Sequence, residues 1–184
     1  MTLAAPEEWR RLLLVGFMGA GKTSVGEALA SRLGWRFHDV DRVVEIEMGR
    51  PIVEIFREMG EATFRAREAQ VARRLLGEDE VVLSVGGGWG AVPGRLASIP
   101  SGTATVWLEV SPEEAVRRAA AQPGARPLLQ VKDPIAEARL LLDRRAPGYA
   151  GARWRVDTER SSVEDVTARI MDILSAHPME IRSE

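Results

Sequence analysis

The sequence predicts a three-layer α/β/α sandwich around a five-stranded parallel sheet. Three observations carry this reading. Short apolar, β-branched runs alternate with amphipathic helical segments; a glycine-rich loop joins the first run directly to the first helix; and capping and stop residues punctuate the helical segments.

Taken in order, RRLLLVGF reads as a short buried strand. KTSVGEALASRLG follows as a helix with Val25, Ala28, Leu29 and Leu33 at helical spacing and Gly34 as its stop. WRFHDVD is a second strand ending in acids. PIVEIFREMG carries proline at its helical start and glycine after its end, and EATFRAREAQVARRLLG is a further helix with the same stop. EVVLSV and TATVWLEV are runs of the kind buried on both faces in a parallel sheet. Ser111, Pro112 and Glu114 form a capping box opening PEEAVRRAAAQ, and Asp133 and Pro134 open PIAEARLLLDRRA. RWRVDT is a weaker strand. VEDVTARIMDIL, capped by Ser162, closes the chain with Val163, Val166, Ile170, Ile173 and Leu174 on one face.

With 184 residues and 45% hydrophobic content, one core and a single domain are expected. The formal net charge of -2 leaves no overall basic surface for nucleic acid. The absence of cysteine excludes disulfides, thiolate zinc sites and cysteine nucleophiles together. MTLAAPEEWRR lacks a basic n-region followed by a long apolar run, and no apolar run approaches membrane-spanning length. A cytoplasmic monomer acting on a small molecule, with no nucleic-acid or membrane partner, is the expectation. Positive charge is almost all arginine; the lysines are Lys22 and Lys132.

GFMGAGKT, Gly16 to Thr23, matches G-x-x-x-x-G-K-[ST] between a strand and a helix. Backbone N–H groups of such a loop form an anion nest, with Lys22 on the β- and γ-phosphates and the Thr23 hydroxyl on Mg²⁺. Gly19, Ala20, Gly21, Lys22, Thr23 and Ser24 are therefore candidate NTP-binding residues. A second glycine run, VVLSVGGGWGAVPG, places Gly86, Gly88 and Ala91 at dinucleotide-fingerprint spacing, with Glu109 about twenty residues on. Pro93 and Gly94 interrupt any helix that would continue from it. A structural turn or a substrate-facing loop remains, and glycines at the carboxyl end of a central strand favour the second.

The nearest approach to a guanine-reading N/T-K-x-D motif is VKDP, which disfavours a GTPase. Phosphoryl transfer to a hydroxyl needs a metal-positioning carboxylate and usually one near the attacking oxygen. HDVD supplies Asp39 and Asp41, two apart on an expected extended segment and so able to face one side; His38 reads as packing. From Arg117 to Arg155 there are nine basic residues against three acids. Part of that is a solvated helix face, but QPGARPLL puts Arg126 between two capped helices, able to come over the phosphates.

Together these residues resemble the shikimate kinases from about Leu12 to Leu174: GFMGAGKT, HDVD, GEATFRARE, VGGG, ARPLL and RRAPGY occur in the family's order. The resemblance implies a P-loop kinase fold: a core at about 10–176, substrate-binding helices at about 41–77 and a lid at about 118–134. It implies that Asp39 holds Mg²⁺ through water and that Asp41 contacts the reacting hydroxyl as base. Arg65 and Arg145 would bind the substrate carboxylate, and Gly86, Gly87 and Gly88 would contact substrate through backbone. Arg126 would belong to the lid and act with Lys22 in catalysis. Arg118 would stack on adenine, and Arg160 joins the nucleotide side. Glu68 matches a glutamate near substrate, although a plain ion pair with Arg65, three residues before it on one helix face, accounts for it nearly as well.

Two departures stand out. Trp89 and Gly90 follow the glycines where the family has small residues such as alanine and valine, so bulk at Trp89 could reshape the acceptor pocket. Gly148 and Gly151 flank Tyr149, and Arg153 replaces a small residue. The function expected is ATP-dependent phosphorylation of the 3-hydroxyl of shikimate in aromatic amino acid biosynthesis. The alternatives are a related kinase for another small hydroxy acid or polyol of gluconate type, and a nucleotide-binding protein without transfer activity.

Overall fold

A computed structural model describes residues 9–121 and 131–178. The expected lid therefore lies largely outside the described residues, and Arg126 wholly so. Five strands form one parallel sheet: β1 (Arg11–Val15), β2 (Arg36–Asp39), β3 (Val81–Ser84), β4 (Thr103–Glu109) and β5 (Trp154–Asp157), in the order β2-β3-β1-β4-β5. The helices are α1 (Lys22–Leu33), α2 (Val40–Met48), α3 (Ile52–Met59), α4 (Glu61–Leu75), α5 (Gly87–Gly90), α6 (Pro112–Ala120), α7 (Pro134–Tyr149) and α8 (Val163–Ala176).

The strand order fixes where a ligand fits. The chain passes from β1 over β3 to β2, and from β3 over β1 to β4, so the loops after these paired strands diverge and open a crevice at their carboxyl ends. Right-handed crossovers running in opposite directions put helices on opposite faces, and α8 packs beside α1 on its face. β1 is buried along its whole length, and Leu12, Leu13 and Leu14 are fully buried at the centre of the core.

Local physics shifts several element boundaries. HDVD is not extended throughout: the strand ends at Asp39, whose carboxylate accepts the Arg42 N–H at 3.3 Å and so caps α2. Asp41 consequently lies in the first turn of a helix. The glycine run is not an open loop either; Gly87 to Gly90 makes one helical turn, closed by the Trp89 N–H on the Gly86 carbonyl. Pro51 caps α3 rather than starting it. At α6 the Ser111 hydroxyl accepts the Glu114 N–H, but the reciprocal half of the box comes from Glu159, which accepts both the Ser111 N–H and hydroxyl. Ser162 and Asp165 form a complete capping box at α8.

Candidate active site

The loop after β1 is shaped for an anion. Gly19 and Gly21 take φ values of 75° and 87°, a left-handed conformation that side chains disfavour, and the loop turns back around the start of α1. Lys22 Nζ donates to the carbonyls of Gly16 and Phe17, each at 2.9 Å, which folds the side chain across the loop. The Thr23 hydroxyl donates to Asp39 Oδ2 at 2.8 Å, joining the P-loop to the end of β2. Arg118 braces the other side. Its guanidinium donates to the Gly19 carbonyl, to the Thr158 hydroxyl and carbonyl, and to the Glu159 carbonyl, while Glu114 holds its Nε at 2.6 Å.

The run after β3 meets a different set of groups, one per glycine. A β-carbon on Gly86 would lie 2.3 Å from Glu68 Oε1 and 2.8 Å from Asp41 Oδ1. On Gly87 it would lie 2.9 Å from Arg145 Nη1, and on Gly88 2.7 Å from the Arg65 guanidinium carbon. Each glycine thus leaves room for a charged side chain to approach the backbone, which is why no larger residue serves there.

The electrostatics of that wall are unbalanced. Glu68 is fully buried, with Oε2 accepting from Arg65 at 2.9 Å, and Arg65 also donates through Nε and Nη2 to Glu61. Asp41 Oδ1 and Glu68 Oε1 are buried without a hydrogen-bond donor. Buried acceptors left open mark a place where a ligand hydroxyl can donate. Burial, reinforced by the negative charges of Glu68 and Asp39 and opposed by Lys22 and Arg65, raises the Asp41 carboxyl from 3.8 to about 7.

Apart from Glu68, which is buried behind the wall, these groups share one open cleft of about 1850 Å³. Gly19, Ala20, Gly21, Lys22, Thr23, Ser24, Asp39, Asp41, Arg65, Gly86, Gly87, Gly88, Arg118, Arg145 and Arg160 all line it, and His38 borders it as well. Trp89 does not join them. It is 4% exposed, sits in the hydrophobic core and has Arg95 stacked on its ring at 5.0 Å, so the pocket-reshaping role expected for it is corrected: the helical turn directs it inward. Sequence reasoning missed Glu114, Thr158 and Glu159, the partners of Arg118. Only the Glu114 spacing, three and four residues before Arg117 and Arg118, was a usable signal. Tyr149 was also passed over, although it stands four residues after Arg145 on a helix.

The family model of shikimate kinase matches residues 18–175. The chain belongs to the shikimate kinase family. A shikimate kinase of Thermus thermophilus is 41% identical over 175 residues, spanning 95% of both chains. One of Symbiobacterium thermophilum is 42% identical over 165 residues, spanning 89% of this chain and 95% of its own. Among solved structures, shikimate kinase from Acinetobacter baumannii in complex with shikimate superposes with a TM-score of 0.85 at 33% identity, covering 95% of this chain and 97% of its own. The Bacteroides thetaiotaomicron shikimate kinase gives 0.82 at 31%, covering 90% and 98%. A gluconokinase from Sinorhizobium meliloti shares the fold, with a TM-score of 0.58 at 21% identity over 94% of each chain.

Proposed function

We propose that the protein transfers the γ-phosphoryl group of ATP to the 3-hydroxyl of shikimate, giving shikimate 3-phosphate and ADP for aromatic amino acid biosynthesis. The observation that carries this reading is the wall at Gly86 to Gly88. There the Asp41 carboxylate and two arginines meet a bare backbone in the same cleft as a complete P-loop, with the buried Glu68 carboxylate behind them. An acceptor bearing both hydroxyls and a carboxylate matches that inventory.

Each residue has a task. Arg65 and Arg145 bind the acceptor carboxylate, for which the planar guanidinium fork is suited. Asp41 accepts the proton of the attacking hydroxyl, helped by a carboxyl poised near neutrality. Lys22 holds the β- and γ-phosphates, and Arg126, in the lid at about 118–134, adds charge over them. Arg118 and Arg160 border the adenine side. The oxygen donors Thr23 and Asp39, 2.8 Å apart beside the P-loop, fit Mg²⁺, which commonly takes one or two protein oxygens and completes its shell with phosphates and water. Bound there, the ion would neutralise charge developing on the phosphates. The same reading takes the chain as one kinase domain working as a cytoplasmic monomer. No described helix is long and apolar enough to cross a membrane.

The test is ADP release with ATP, Mg²⁺ and a panel of acids that includes shikimate and gluconate. Stimulation by shikimate above the rest is expected. No stimulation by shikimate, or a preference for gluconate, overturns the assignment.

A further inference from the structure

Tyr149 has no task in the scheme above, yet it is among the most deliberately placed residues in the molecule. Its side chain is fully buried, its ring packs against Trp107 with centroids 5.8 Å apart, and its hydroxyl donates to the Gly87 carbonyl at 2.6 Å. The Arg145 guanidinium, one helical turn earlier on α7, reaches the same glycine. A β-carbon on Gly87 would fall 2.9 Å from Arg145 Nη1 and 3.1 Å from the tyrosine oxygen, so floor, arginine and phenol meet at one point.

The hydroxyl has one proton, and the Gly87 carbonyl takes it. Its oxygen keeps its lone pairs and faces the point that the Arg145 guanidinium, a donor only, also approaches. Burial raises the phenol to about 12, so this arrangement persists across the working pH range. The end of α7 has little room to shift. A β-carbon on Gly148 would lie 2.2 Å from the Ala91 carbonyl oxygen, which means helix and floor segment touch backbone to backbone.

We propose that Tyr149 is a positioning residue that locks the Gly87 peptide and the Arg145 guanidinium into one fixed geometry, so that the acceptor carboxylate meets an arginine already aligned with the glycine floor. Fixing the Gly87 carbonyl also fixes the Gly88 N–H, which a trans peptide directs the opposite way. Arg145 then needs no ordering when the acceptor binds, and the affinity gained is that of preorganisation. The proposal rests on the reading that Arg145 binds an acceptor carboxylate.

The test is steady-state kinetics of the full chain with Tyr149→Phe, varying shikimate and ATP separately. The Michaelis constant for shikimate should rise about tenfold, the cost of one lost buried hydrogen bond, while that for ATP holds and thermal unfolding stays cooperative. In an Arg145→Lys background the same change should have little further effect on shikimate, because the two act as a unit. Gly87→Ala attacks the junction from the floor side and should reproduce the split if Tyr149→Phe does not fold. An unmoved shikimate constant, a parallel rise for both substrates, or additivity with Arg145→Lys overturns the proposal. A wild-type protein with no turnover of shikimate instead removes the function reading beneath it.

Discussion

The Asp41 and Glu68 carboxylates converge on the space above Gly86, where a β-carbon would stand 2.8 Å from Asp41 Oδ1 and 2.3 Å from Glu68 Oε1. They arrive from different helices, Asp41 from the first turn of α2 and Glu68 from the middle of α4. Arg65 holds Glu68 but does not reach the open oxygens of either acid, so negative charge is concentrated where an acceptor hydroxyl would lose its proton.

The first prediction concerns Asp41→Asn. Transfer should be abolished while ATP binding, measured by calorimetry, stays nearly intact; a large loss of ATP affinity would mean that Asp41 serves the nucleotide. Stability should move the other way. An acid whose pKa is raised on folding, here from 3.8 to about 7, favours the folded state when protonated. The cost of its charge is absent below pH 3.8, grows as pH rises and is complete above about 7. Without nucleotide and Mg²⁺, Asp41→Asn should therefore stabilise the fold at pH 8 by up to about 4 kcal/mol, read as a higher Tm, and change Tm little at pH 4. In the native enzyme kcat/KM should climb through about pH 7 as the base ionises.

Gly86→Ala tests the floor itself. Gly86 has φ -58° and ψ 148°, which alanine adopts freely, so any effect comes from the methyl group meeting the two acids. Phosphorylation should fall at least tenfold, with the ATP constant unchanged. Near-native turnover would show that the two carboxylates can swing aside at no cost to catalysis.

Arg65→Lys should weaken the acceptor about tenfold with a smaller effect on kcat. Lysine keeps the charge but cannot hold Glu68, Glu61 and a substrate carboxylate with one planar fork. An unchanged acceptor constant takes Arg65 out of the carboxylate site.

Arg118→Ala separates the nucleotide side from the acceptor side. Removing the guanidinium frees the Gly19 carbonyl from Thr158 and Glu159 and leaves Glu114 with Arg117 alone. The ATP constant should rise about tenfold and that for shikimate hold. Equal effects on both would indicate a general loss of order instead.

How much of this was legible in the sequence differs from element to element. The P-loop could be read outright because its chemistry is local: six backbone positions, a lysine and a hydroxyl in one turn between a strand and a helix. The strand and helix sequence was readable for the same reason, since burial on both faces leaves apolar runs. The pairing of Arg118 with Thr158 and Glu159, about forty residues away, depends on β4 lying beside β5 and leaves no trace in spacing. Trp89 misled because its identity was visible but its direction was not. Asp39 looked like the end of a strand and is also a helix cap, and that second role rotates Asp41 onto α2.

The register of β1 on β3 pairs Leu14 with Ser84, so the P-loop and the glycine floor set out two residues beyond the same rung of one ladder. Donor and acceptor seats are in effect machined on a single plate, with no joint between them. The groups proposed to tell one acceptor from another, Arg65 and Arg145, hang from α4 and α7 instead. A fold organised in this way can exchange its acceptor by altering those helices while the distance over which the phosphoryl group travels stays as it is.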